Sequence, residues 1–139
     1  MTTDKILDDI RRHEGFSDRV YLDTVGVPTG GYGHAFHVGT EIPVYVAEAL
    51  LWLDYRVALN DYQRIKKHLR LDLSTVREGV LINMIFNLGR PRFMKFKKFL
   101  KALQEKNYKK ASEEMLNSRW ASQVGDRATE LAQKMRDDN

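Results

Sequence analysis

Arg11-Arg12-His13-Glu14-Gly15-Phe16, then Val20-Tyr21-Leu22-Asp23-Thr24, then Val27-Pro28-Thr29-Gly30-Gly31-Tyr32-Gly33-His34 decide how this chain is read. Upstream of them, Ile6, Leu7 and Ile10 share one face of a helical repeat, so a helix is predicted from Thr2 or Thr3 to about His13. Glu14 continues that inward face, one turn beyond Ile10, and Gly15 stops the helix. A carboxyl placed there meets burial and the negative end of the helix dipole. Both disfavour its charged form, which suits a general acid. The plainer alternative is a solvated glutamate at a frayed helix end.

The next two pieces predict a hairpin. Tyr21 and Asp23 alternate onto one face of a strand, Val20 and Leu22 onto the other. Asp23-Thr24-Val25-Gly26 reads as the turn. On the return, Thr29, Gly31 and Gly33 share a face, and the glycines let a ligand approach the backbone. Two carboxylates in different environments, with a hydroxyl able to hold a water, form a glycosidase arrangement. On spacing alone, ordinary hairpin residues are the simpler alternative for Asp23 and Thr29.

Composition narrows the class. A chain of 139 residues is expected to fold as one domain with a substantial core. Cysteine is absent, which excludes disulfides, a thiol nucleophile and a cysteine zinc site. The charged start, Met1 to Ile10, does not read as a signal peptide. The longest apolar run, Val80 to Leu88, is too short for a transmembrane segment. His13, His34, His37 and His68 form no metal motif, so neither metal nor cofactor is expected. Formal net charge is +4, yet nine Lys/Arg face one Glu between Arg90 and Lys110. That patch attracts polyanions, although a solvated face on a core-packing helix is the simpler reading.

The remaining elements are helical. The β-region is expected over about Val20 to Phe36. Thr40 and Pro43 open a long helix, with Val46, Leu50, Leu53 and Val57 at helical spacing and Lys66 and Lys67 near its end. Thr75-Val76-Arg77-Glu78 fits a capping box for a helix that is apolar on nearly every side. Gly89 and Pro91 end it. Asn83 and Asn87 read first as hydrogen-bonded structural residues, Asn87 being the better placed for a ligand. Phe93, Phe96, Leu100 and Leu103 form an apolar stripe through the basic stretch. Tyr108 to Met115 makes a short helix. Trp120 anchors the C-terminal pieces and needs a partner for its N–H. Asp126 caps a last helix ending near Met135, and residues 137–139 are expected to fray.

Glu14, Asp23 and Thr29, with eight and then five residues between them, resemble the pattern of the phage-type lysozymes or endolysins, glycoside hydrolase family 24. The similarity runs on through Gly31-Tyr32-Gly33-His34, Leu81 to Gly89, Ser118-Arg119-Trp120 and Asp126-Arg127-Ala128. It implies a mainly helical α+β fold: a small lobe over about residues 14–42 and a helical lobe of residues 1–13 plus 68–139. A helix over about 43–67 joins them, with the cleft between the lobes. It also implies inverting hydrolysis of the β-1,4 bond between N-acetylmuramic acid and N-acetylglucosamine in bacterial peptidoglycan, leading to host cell lysis. Glu14 would be the acid, with Asp23 and Thr29 holding the water. Tyr21, Gly31, Tyr32 and Asn87 would meet the substrate. His34, paired with Asp54, and Arg127, near the catalytic glutamate, would support the site. The family further implies a separate membrane-pore protein, a holin, that gives the enzyme access to the wall from the host cytoplasm. Nothing in the sequence demands more than a monomer, and no helix-turn-helix or base-stacking motif supports a specific nucleic-acid partner.

This chain departs from the family in three places. Ala35 to Glu41 is short where some members carry a longer β-lobe. His13 stands where some have a carboxylate, and the chain ends soon after its last helix. Other readings are a non-catalytic peptidoglycan-binding module on the same fold, a nucleic-acid binder using the basic helix, and a lytic transglycosylase.

Overall fold

The computed structural model describes residues 2–35 and 37–139. The fold is α+β and mainly helical, with one three-stranded antiparallel sheet near the N-terminus and a helical remainder. Contacts divide the chain into Thr2–Val57 and Ala58–Asn139, the break falling inside the longest helix. By contacts the first helix groups with the sheet, whereas the family resemblance assigns it to the helical lobe.

In the N-terminal unit, α1 spans Thr3–Glu14. The Thr2 hydroxyl accepts from the Lys5 N–H at 3.2 Å, and Asp4 complements the dipole in the first turn. Ile6, Leu7 and Ile10 are buried, as their periodicity predicts. Gly15, at φ +69°, ends the helix by donating to the Arg11 carbonyl at 2.9 Å. Strand β1 (Ser17–Leu22) pairs with β2 (Pro28–Gly31), which pairs with β3 (His34–Ala35). Tyr21 lies opposite Thr29, and an irregularity between Ser17 and Tyr21 shifts the register. Val20 turns inward, against Ile42 and Ala47, while Leu22, expected on the same face, is exposed where the strand runs out. Gly33 is not on the returning strand as expected. It lies in the two-residue turn with Tyr32 between Gly31 and His34, where its φ of +84° suits a glycine. Phe36, the expected end of the β-region, lies outside the described residues.

The long helix α2 covers Val44–Leu69 and so begins just after Pro43, whose carbonyl accepts from Val46 and Ala47 at 3.0 Å. Its buried seam is Ala47, Leu51, Tyr55, Ala58, Tyr62 and Ile65. The expected stripe is not that seam: Leu53 and Val57 are exposed. Alanines and tyrosines supply much of the inward face, and hydropathy alone weights them too lightly.

In the C-terminal unit, α3 (Thr75–Leu88) is buried on nearly every side, from Gly79 to Ile85. Its cap is Ser74, which accepts from Arg77 N–H at 3.2 Å, so the expected box on Thr75 does not form. Glu78 instead accepts from the Tyr62 hydroxyl and from Lys66 at 3.0 Å. Four short helices follow: α4 (Arg90–Phe93), α5 (Lys97–Gln104), α6 (Tyr108–Leu116) and α7 (Arg119–Val124). The last, α8 (Asp126–Asp137), begins after Gly125, with Asp126 in its first turn and not at the cap. α6 packs on α5 and α8, and α3 on α4 and α8. The expected frayed end is tied down. Arg77 donates to the carbonyls of Met135 at 2.7 Å and Arg136 at 3.1 Å, and Ser74 bonds Asp138. No helix among the described residues is long and apolar enough to cross a membrane.

Candidate active site

Glu14 occupies the last position of α1 and is half-buried. Its place is fixed from two sides. Arg11, one turn earlier, donates to both carboxylate oxygens of Glu48 on α2 at 3.0–3.3 Å and to Asp8 at 2.8 Å. That network ties the end of α1 to the start of α2. From the hairpin, Gly33 approaches the Glu14 carboxyl so closely that a Cβ would lie 2.8 Å from Oε2. Real Cβ atoms do not sit that close, so a side chain at this position would push the Glu14 carboxyl aside, while the turn's φ itself favours glycine. Gly31 admits a neighbour too, but that neighbour is Ala47: a Cβ on Gly31 would lie 3.0 Å from the alanine methyl. The sequence expects these glycines to admit a ligand; the structure sets other parts of the same unit against them.

Asp23 follows β1 and organises the turn. Its Oδ1 accepts from Val25 N–H at 2.9 Å and Val27 N–H at 2.8 Å, and its own N–H donates to the Val27 carbonyl at 2.9 Å. An aspartate bonding the backbone two residues on is the usual chemistry of such a turn. Here it also fixes the carboxylate's orientation, with both bonds on one oxygen. Thr29 is buried, and its hydroxyl donates to the Val27 carbonyl at 2.8 Å. With that proton committed, the Thr29 oxygen can act towards a water only as an acceptor.

Tyr21 stands directly across the strand pair from Thr29. Burial first, then the charge of Glu14, then that of Asp23, pushes its phenol above the ordinary value. One hydroxyl therefore lies within electrostatic reach of both carboxylates. Tyr32 turns elsewhere. Burial, then Glu48, raises its phenol, with Arg11 opposing, and its ring meets Phe16 at 5.6 Å. His34 and Asp54 do meet, sharing a hydrogen bond of 2.7 Å between Nδ1 and Oδ2.

The C-terminal unit holds the other candidates. Asn87 Oδ1 accepts from the Trp120 indole at 2.7 Å, the partner that buried ring requires. Arg127 is buried and donates from Nε at 3.0 Å and Nη2 at 2.7 Å to Asn83 Oδ1. Sequence reasoning missed the Arg11–Glu48 link and the seat that Gly33 makes for Glu14. Arg11 gave a faint signal, lying one turn before Glu14. Nothing local marked Glu48.

A family model described as Phage lysozyme matches residues 11–137. Two similar proteins, both from Dictyostelium discoideum, carry related names. "Probable T4-type lysozyme 2" is 29% identical over 115 residues, covering 78% of this chain and 68% of its own. "Probable T4-type lysozyme 1" is 27% identical over 153 residues, covering 91% of this chain and 90% of its own.

Proposed function

The chain belongs to the phage lysozyme family, and from that membership we propose that it is a muramidase cleaving the β-1,4 glycosidic bond of peptidoglycan with inversion. Membership supports a lysozyme-like, glycoside hydrolase function; the mechanism is our own reading. Glu14 gives its proton to the leaving glycosidic oxygen as the bond breaks. A water donates one hydrogen to Thr29 Oγ1 and the other to the Asp23 carboxylate, which leaves an oxygen lone pair to attack the anomeric carbon. Asp23 takes the water's proton as attack proceeds. For this route the carboxyls of Glu14 and Asp23 should be about 6.5–9.5 Å apart, leaving room for the water. Tyr21 meets the sugar between them. Gly31 and Tyr32 also meet substrate, and His34 with Asp54 supports the hairpin; within the C-terminal unit Asn87 is the substrate-binding residue and Arg127 the supporting one.

The observation that carries this reading is the hairpin itself, which seats the Glu14 carboxyl against Gly33 and sets Tyr21 across from Thr29 beside the turn that Asp23 closes. Release of reducing ends from purified peptidoglycan tests it. Wild type should be active, and Glu14→Gln should lose at least about a thousandfold. An undiminished Glu14→Gln enzyme would end the assignment. Binding without any sugar release would favour a wall-binding module. Product ends lighter by one water would mark a transglycosylase.

A further inference from the structure

Five cations of the basic stretch, Lys95, Lys97, Lys98, Lys101 and Lys110, line adjoining grooves in the C-terminal unit. Residues 90–110 hold nine Lys/Arg against one Glu while the whole chain is only +4, so the rest of the molecule is net negative. Helix α5 turns Phe99, Leu100, Ala102 and Leu103 inward, which leaves Lys97, Lys98 and Lys101 exposed. Charges at this helical spacing recur about every 5–6 Å. Two grooves border the helix. One, of about 360 Å³, is lined by Lys98, Lys101 and Lys110 with Asn107. The other, of about 440 Å³, is lined by Lys95, Lys97, Lys98 and Arg119 with Ser118. They share Lys98 and Glu114, so they adjoin. Six cations thus face two carboxylates, Glu105 and Glu114, and Lys110 lies 3.7 Å from the second.

We infer that this face binds a linear, base-free phosphodiester polymer of the polyol-phosphate kind found in bacterial walls. The choice of a wall polymer rests on the muramidase reading; the polyanion site does not. Two other partners fit less well. Single-stranded nucleic acid is usually held by aromatic rings that stack on bases. Here Phe93 and Phe99 are buried, Phe96 lies edge-on to Phe99 and Trp120, and the Tyr108 ring is covered by the Arg77 guanidinium at 3.7 Å. A membrane-surface helix needs an apolar face to insert, and that of α5 is already spent in the core. What remains is a row of flexible ammonium groups, suited to a flexible string of phosphates.

The test uses the whole chain and defined poly(glycerol phosphate), with the dissociation constant measured over a salt series. Wild type should bind with a steep salt dependence. Lys98→Glu/Lys101→Glu/Lys110→Glu should weaken binding at least about tenfold and lower the log–log salt slope by about 2. The variant should stay folded, its thermal midpoint lowered only slightly by the like charges that Lys110→Glu sets beside Glu114, and its hydrolysis of polymer-free peptidoglycan should be unchanged. Equal binding by the variant overturns the proposal. So does oligo(dT) of matched charge, or a phosphatidylglycerol vesicle, binding as tightly as the polymer. Polymer binding without any hydrolysis by wild type would sink the muramidase reading and leave the polyanion site standing.

Discussion

Gly33 shows how much a residue without a side chain can decide. Its turn conformation disfavours a Cβ, and a Cβ there would displace the Glu14 carboxyl. Gly33→Ala should therefore cost about 1–3 kcal/mol of stability and lower turnover at least about tenfold by displacing the acid. Gly39 has a similar φ, +89°, but open space beside it. Gly39→Ala should share the backbone cost and keep its turnover. Melting curves and initial rates on both variants separate strain from displacement; equal rates in the two would deny Gly33 its role as a seat. The spacing of Glu14, Asp23 and Thr29 could be read directly from the sequence. That Asp23 bonds its own turn through one oxygen, and that Thr29 has its proton committed, could not, because both depend on backbone atoms that only the folded hairpin brings near.

Among the elements, α3 is the one whose burial follows from composition alone, since few of its positions are polar. Its asparagine partners come from distant parts of the chain. Asn83 accepts from the Nε and Nη2 of Arg127, a residue of α8. Asn83→Ala removes a shared acceptor from a buried guanidinium, and we expect a loss of about 2–3 kcal/mol in urea unfolding. A change below about 0.5 kcal/mol would mean that other groups satisfy the arginine. The seam of α2 was misread for a related reason. A helical repeat names several stripes, and Ala47, Tyr55, Ala58 and Tyr62 lose on hydropathy to leucines and valines that face water. The α3 cap shifted by one residue because Ser74 serves as well as Thr75, and Glu78 has better partners in Tyr62 and Lys66.

At the scale of the whole molecule, Tyr62 links folding to alkaline pH. Burial and then Glu78 raise its phenol well above the ordinary 10.0. A folded value above the unfolded one means that the native state keeps the proton longer. The resulting stability is complete below pH 10 and falls away above it, as the unfolded chain alone ionises. Stability measured between about pH 8 and about pH 11 should fall in wild type and fall less in Tyr62→Phe; parallel curves would refute the linkage. The amino-acid order alone determined which stretches are helical, the hairpin, the buried α3 and the charge patch, because these follow from short-range periodicity, turn chemistry and formal charge. It also carried the spacing of Glu14, Asp23 and Thr29 that resembles the phage-lysozyme pattern. Only the tertiary structure decided which glycines admit which neighbours, where each carboxylate finds its donors and which face of α2 is dry. Those outcomes depend on groups far apart in the chain, whose meeting no local pattern encodes.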